Sequence, residues 1–184
     1  MPRLQSPSSA GFSRPRVSGK AIRLEPFLPG AAEEFAAAAR RSRRLHRPWA
    51  YPPLHAEAAA ELARNRQGPT SYGFLVRELP GGELAGYIAV SNLVRGAFRS
   101  AYLGYYAFAG CERRGLMSAG LRAVLAHARG ELGLHRLEAN IQAGNAASLA
   151  LVQRLGFRCE GYSPRYLKIG GRWRDHERWA ILLE

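Results

Sequence analysis

Two short strings carry residue types that chemistry uses. The first is Glu112-Arg113-Arg114-Gly115-Leu116-Met117-Ser118, set between an alternating apolar run and an amphipathic one. A strand-to-helix turn leaves backbone N–H groups without intrahelical partners and presents the positive end of the helix dipole. Such a turn can cradle a pyrophosphate: Gly115 admits close approach, and Arg113 and Arg114 add charge. The same string also reads as an ordinary solvated helix start. The second string is Asn145-Ala146-Ala147-Ser148, two polar side chains three apart at the start of a helical run. Helix capping explains that spacing; contact with a ligand is the other reading.

Other chemistries find little support. His135 and His176 have no matching ligands around them, so no metal is expected. Cys111 and Cys159 are the only cysteines, which excludes a disulfide scaffold and fits a reducing, cytoplasmic compartment. No apolar run approaches the roughly 18–20 residues that span a bilayer. The longest, Leu84–Val94, is interrupted by Gly86, Ser91 and Asn92, and no membrane partner is expected.

The elements that must position these strings follow from periodicity and breakers. Residues 1–20 are rich in Ser, Pro and Gly, hold Arg3, Arg14, Arg16 and Lys20 without an acid, and read as a basic disordered tail before a domain over 21–184. A strand begins near Ala21. A helix over Ala31 to Arg44 leads into the loop Pro48-Trp49-Ala50-Tyr51-Pro52-Pro53, and a second helix covers about Ala56 to Asn65. Strands at Tyr72–Glu78, Leu84–Leu93 and Ser100–Phe108 follow, the first two joined by Pro80-Gly81-Gly82. A third helix runs from Leu116 to Leu132, with Met117, Leu121, Val124, Leu125, Ala128 and Leu132 on one face. A strand at Arg136–Gln142, a helix from Asn145 to Leu155 and two final strands around Gly170-Gly171 complete the chain. This order predicts an α/β (α+β) domain with a mixed, mostly antiparallel seven-stranded sheet and about four flanking helices.

The chain carries 184 residues and a formal charge of +13. Arginine dominates; Lys20 and Lys168 are the only lysines and Asp175 the only aspartate. A GC-rich genome explains the preference for arginine over lysine. It does not explain the excess over acids, which points to anionic partners such as phosphates or an RNA-rich particle. Arg40, Arg41, Arg43, Arg44 and Arg47 concentrate five charges within eight residues.

Several strings in order resemble the GNAT acetyltransferases, and within them the bacterial RimJ/RimL-type ribosomal-protein alanine N-acetyltransferases. They are Asn92 to Phe98 with Tyr102-Leu103-Gly104-Tyr105; Arg114-Gly115-Leu116-Met117; His135 to Asn140 with Asn145 to Ser148 and Leu155-Gly156-Phe157; and Glu160-Gly161-Tyr162 with Gly171-Arg172-Trp173-Arg174-Asp175-His176. The resemblance spans about residues 21–184. It departs from the wider family at Glu112, where Arg or Gln is usual, and at Val152, where many members carry a tyrosine proton donor.

The resemblance implies splayed central parallel strands holding acetyl-CoA as co-substrate. Pantetheine would pair with the backbone of Tyr106, Ala107 and Phe108, and pyrophosphate would meet the N–H groups from Arg113 through Gly115, Leu116 and Met117 to Ser118. An N–H near Ala107 or Phe108 would hold the developing oxyanion. Asn145 would orient the pantetheine and Ser148 would serve the leaving thiolate. Glu138 is the candidate base, or else a paired strand carboxylate. Asp175 would hold the incoming ammonium, or else form a salt bridge to Arg172 or Arg174. Trp49 and Tyr51 would border the acceptor groove, or else anchor their loop in the core. The implied acceptor is the N-terminal amine of a ribosomal protein, with a ribosome or rRNA contact through the basic N-terminal region. A small amine or antibiotic acceptor, or a non-catalytic RNA-binding role, is the alternative.

Overall fold

The computed structural model describes residues 21–184, and the tail expected over residues 1–20 lies outside them. Seven strands form one sheet: β1 Ile22–Pro26, β2 Tyr72–Glu78, β3 Leu84–Val94, β4 Ser100–Ala107, β5 Arg136–Gln142, β6 Arg158–Ile169 and β7 Arg172–Leu182. Their spatial order is β1-β2-β3-β4-β5-β7-β6. Every pairing is antiparallel except β4 with β5.

Among the described residues five α-helices accompany the sheet: α1 Ala32–Arg41, α2 Arg43–His46, α3 Ala56–Arg64, α4 Leu116–Gly130 and α5 Ala146–Arg154. The extra helix arises because the expected run from Ala31 to Arg44 breaks at Ser42. That buried hydroxyl donates to the Ala38 carbonyl at 2.7 Å and accepts the Ala109 N–H at 2.8 Å. A serine bonded back into its own turn and outward to another strand end offers the backbone an alternative to continuing the helix.

Two apolar clusters sandwich the sheet. One packs α4 and α5 residues such as Leu121, Val124 and Val152 against β-strand residues from Ile22 to Ile141. The other packs α1 and α3 against Phe27, Leu75, Tyr87 and Phe108, and it includes no residue beyond Phe108. The β5–β7 half of the sheet therefore lacks this second apolar layer.

Candidate active site

The pairing of β4 with β5 stops early. Ser100, Ala101 and Tyr102 pair with Arg136, Leu137 and Glu138. Beyond them β4 continues to Ala107 beside β3, and β5 continues to Gln142 beside β7. The two parallel strands thus diverge into a wedge whose walls are unpaired strand edges, the splay expected from the sequence.

Strand alternation decides which backbone groups face that wedge. The Phe108 N–H donates to the Ala85 carbonyl at 2.9 Å, on the β3 side. Hydrogen-bonding direction alternates along a strand, so Tyr106, opposite Tyr87, also turns to β3, while Tyr105 and Ala107 turn to the wedge. This corrects the expectation for Tyr106, Ala107 and Phe108 as a set: the Tyr106 and Phe108 backbones are committed to the sheet. The Phe108 N–H is equally unavailable to an oxyanion. Ala107 is half committed as well, since His46 Nε2 donates to its carbonyl at 2.8 Å. His46 is 3% exposed, and burial holds its pKa below the ordinary imidazole value.

The turn before α4 is built to leave donors free. Gly115 takes the left-handed N-cap position at φ 80°, and no side chain caps the helix. Among the described residues, the N–H groups from Arg113 to Ser118 make no hydrogen bond. A Cβ on Gly115 would meet nothing within 4 Å, so the approach is open. Glu112 folds back to accept the Gly110 N–H at 2.7 Å, and its carboxylate is thereby engaged locally. Arg113 is exposed, whereas Arg114 binds both oxygens of Glu78 at 2.5 Å, so the two expected charges are not equivalent. Leu116 and Met117 are buried, and the Met117 thioether lies so close to Gly86 that a side chain there would collide with it. Leu116 and Met117 can therefore offer a ligand only their N–H groups. An anion-binding turn of this kind fits a pyrophosphate.

Across the wedge, Asn145 accepts the Ser148 N–H at 3.2 Å and caps α5. The Ser148 hydroxyl lies 2.6 Å from the Tyr105 hydroxyl, a contact that joins α5 to β4. Glu138 Oε1 is bound by Arg136 Nε at 2.9 Å, the paired strand carboxylate. Arg136 also holds Glu160 on β6.

A cleft of about 320 Å³ sits at the β5–α5 turn, and its lining includes Trp49, Gln142, Gly144, Tyr162, Trp173 and Asp175. Trp49 and Asp175 thus come together although they lie 126 positions apart in the chain. Gln142 Nε2 donates to the Trp49 carbonyl at 3.0 Å and fixes the loop. Neither expected partner of Asp175 is used; it accepts the Tyr162 hydroxyl at 2.5 Å and the Arg165 N–H at 2.8 Å. Those two donors, the backbone one first, hold its carboxyl below the usual range. Tyr51 lies elsewhere: it packs on Gly170 at the β6–β7 turn, with Arg47 over its ring at 5.4 Å, and lines a smaller cavity beside His46.

The residues that sequence reasoning missed are Tyr105 and His46. Tyr105 lay within a quoted string, but its partner on α5 is set only by the divergence of β4 and β5. His46 was hidden in the arginine run, where its burial has no local signature. Among the described residues no group of His, Cys, Asp and Glu could hold a metal ion, and no helix is long and apolar enough to cross a membrane.

Residues 21–158 match the Acetyltransferase (GNAT) domain family. A ribosomal protein uS5-alanine N-acetyltransferase of Escherichia coli is 42% identical over 99 residues, 54% of this chain and 51% of that protein. An L-methionine sulfoximine/L-methionine sulfone acetyltransferase of Pseudomonas paraeruginosa is 36% identical over 115 residues, 61% of this chain and 64% of that protein. The chain spans about half the length of the first curated relatives it matches. Among solved structures, Mycobacterium smegmatis RimJ in complex with CoA-disulfide superposes with a TM-score of 0.81 at 26% identity, covering 89% of this chain and 82% of that one. With the family matched over most of its length and its splayed strands in place, the chain belongs to the GNAT acetyltransferase family.

Proposed function

We propose that this protein transfers an acetyl group from acetyl-CoA to the N-terminal amine of a ribosomal protein. The observation that carries the reading is the wedge between β4 and β5, with free N–H groups at the α4 turn and the Trp49–Asp175 cleft at the β5–α5 turn. Acetyl-CoA supplies an activated thioester when bound. The residues from Arg113 to Ser118 would hold its pyrophosphate, chiefly through backbone, with Arg113 as the free charge. Ala107 and Tyr105 would offer the strand edge.

The protein's main task is then to bring amine and thioester together, which supplies much of the rate. An α-amine has a pKa of about 8, so roughly a tenth is neutral at pH 7 and a strong base is not required. The reading therefore leaves Glu138 to its Arg136 pair. Ser148 donates its hydroxyl hydrogen toward the sulfur that leaves, while Asn145 fixes the Ser148 backbone. Asp175 faces the acceptor cleft as a carboxylate and holds the incoming ammonium before it loses its proton. The relative from Escherichia coli supports an N-terminal alanine as acceptor. The exposed Arg43 and Arg44 on α2 would meet ribosomal RNA phosphates close to the Trp49 loop.

A small-molecule acceptor is the second reading, favoured by the relative from Pseudomonas. The deciding experiment is an acetyl-CoA turnover assay against ribosomal N-terminal peptides, L-methionine sulfone and aminoglycosides. Acetylation of peptides that begin with alanine or serine is expected; turnover of small amines alone would overturn the ribosomal reading. Arg43→Glu with Arg44→Glu should weaken ribosome co-sedimentation, in a salt-dependent manner, without slowing peptide turnover.

A further inference from the structure

We infer that Tyr105 is a positioning residue for the Ser148 hydroxyl, donating its own O–H to Ser148 Oγ so that the serine hydrogen is left to point at the departing sulfur. This rests on the reading of Ser148 given above and adds a residue that no sequence motif assigned.

Three observations support the arrangement. Tyr105 turns its backbone to the wedge at a point where β4 has left β5, and its hydroxyl reaches Ser148 Oγ at 2.6 Å. A hydroxyl has one hydrogen and two acceptor lone pairs. If Tyr105 donates, Ser148 keeps its single hydrogen for the ligand; if Ser148 donated instead, that hydrogen would be occupied and the serine would be useless to the sulfur. Second, the Ser148 main chain is already fixed by Asn145 Oδ1, so only the hydroxyl rotor needs restraint. Third, burial pushes the Tyr105 phenol up to about 12, which keeps it a donor at any working pH. The Ser148 carbonyl lies 3.3 Å from the same phenol, an alternative acceptor within the same turn of α5.

In the step itself the amine nitrogen bonds to the acetyl carbon and the carbon–sulfur bond breaks. The electron pair goes to sulfur, which takes a hydrogen bond from Ser148; the proton shed by the amine leaves to water, and the thiolate takes its proton from water. Tyr105 keeps its proton throughout.

The test is a cycle of Tyr105→Phe, Ser148→Ala and the double variant, assayed with saturating acetyl-CoA and an alanine-starting peptide. Tyr105→Phe should lower kcat about fivefold to tenfold, with the KM for acetyl-CoA unchanged within about twofold. In the Ser148→Ala background the same change should have no further effect, because the group it positions is gone. Loss of the same factor in both backgrounds, or no loss in either, would overturn the proposal while leaving Ser148 in its role. An unchanged rate in Ser148→Ala would remove the serine reading, and the Tyr105 proposal with it. Should Tyr105→Phe fail to fold, 3-fluorotyrosine at 105 keeps the shape and the donor; it should retain kcat within about twofold or raise it, and a fall beyond fivefold would count against the inference.

Discussion

Strands β3 and β6 are of nearly equal length and live in opposite halves of one sheet. All of β3 from Leu84 to Val90 is buried, between α4 on one face and the Phe35 cluster on the other. Not one residue of β6 is buried. It is an edge strand held by its ladder to β7 and by polar ties: Tyr162 to Asp175, the Arg165 N–H to Asp175, and Glu160 to Arg136. The β1–β4 half is fixed by burial on both faces, which is non-directional and strong; the β6–β7 hairpin, at the far edge, leans more on hydrogen bonds, each of modest net worth. The wedge between β4 and β5 opens where the two halves part. On the β4 side the strand is only partly buried beyond Leu103, whereas β5 stays buried at Ala139, Ile141 and Gln142.

The largest test of this contrast lies in the packed half. Phe35 is fully buried, stacked on Phe27 with centroids 4.6 Å apart and edge-on to Tyr87 and Phe108. Phe35→Ala should cost about 3–5 kcal/mol. At roughly 2–4 °C per kcal/mol for a chain of this size, thermal unfolding should shift down by about 6–20 °C. A shift of only one or two degrees would mean that the second layer is not what stabilises this half.

A smaller effect is expected at the seam. His46 ties α2 to the end of β4 through the Ala107 carbonyl, and its second ring nitrogen is buried without a partner. Because burial lowers the folded pKa below the ordinary 6.5, the imidazole is neutral in the fold, and it takes up a proton more readily when the chain unfolds. The stability it contributes is fully present above about pH 6.5 and is lost as pH falls from there toward the lowered folded value. His127 is shifted in the same direction by burial. Melting temperature should therefore fall between pH 7 and pH 5, and His46→Gln should flatten part of that slope. At pH 7.5 the same variant should cost about 1–3 kcal/mol if the Ala107 carbonyl is left unpaired. An identical pH slope in the variant would exclude His46 as a source.

The sequence shows the packed half better than the open one, for a physical reason. β2, β3 and α4 are specified by hydrophobic periodicity, and Tyr72–Glu78 and the start of α4 at Leu116 are legible from it. The wedge was reached only through motif resemblance, since the loss of pairing after Tyr102 has no local signature. Backbone direction was legible only in part. Which of Tyr105, Tyr106, Ala107 and Phe108 faces the wedge depends on register with β3, and a one-residue slip exchanges all four. Side-chain pairings across distant segments, such as Arg114 with Glu78 or Trp49 with Gln142, are likewise set by tertiary placement rather than by neighbours in the chain.

The smallest stability effect, and the sharpest contrast, belongs to Trp173. It is 60% exposed on β7 and lines the cleft that also holds Trp49 and Asp175. A core aromatic loses packing on all sides when truncated, but Trp173 has solvent on most of its surface, so Trp173→Ala should change stability by no more than about 0.5 kcal/mol. Binding should respond differently. An exposed aromatic edge beside a carboxylate offers a peptide both an apolar contact and, for a cationic group, the face of an indole, worth about 0.5–1 kcal/mol at an exposed site. The variant should therefore raise the KM of a peptide acceptor about twofold to fivefold while the KM for acetyl-CoA stays where it was. Steady-state kinetics varied separately in each substrate, alongside a melting curve, measures both at once. A fall in melting temperature comparable to that of Phe35→Ala would show the hairpin to be a second core. An unchanged acceptor KM would show the cleft at the β5–α5 turn to lie off the acceptor's path.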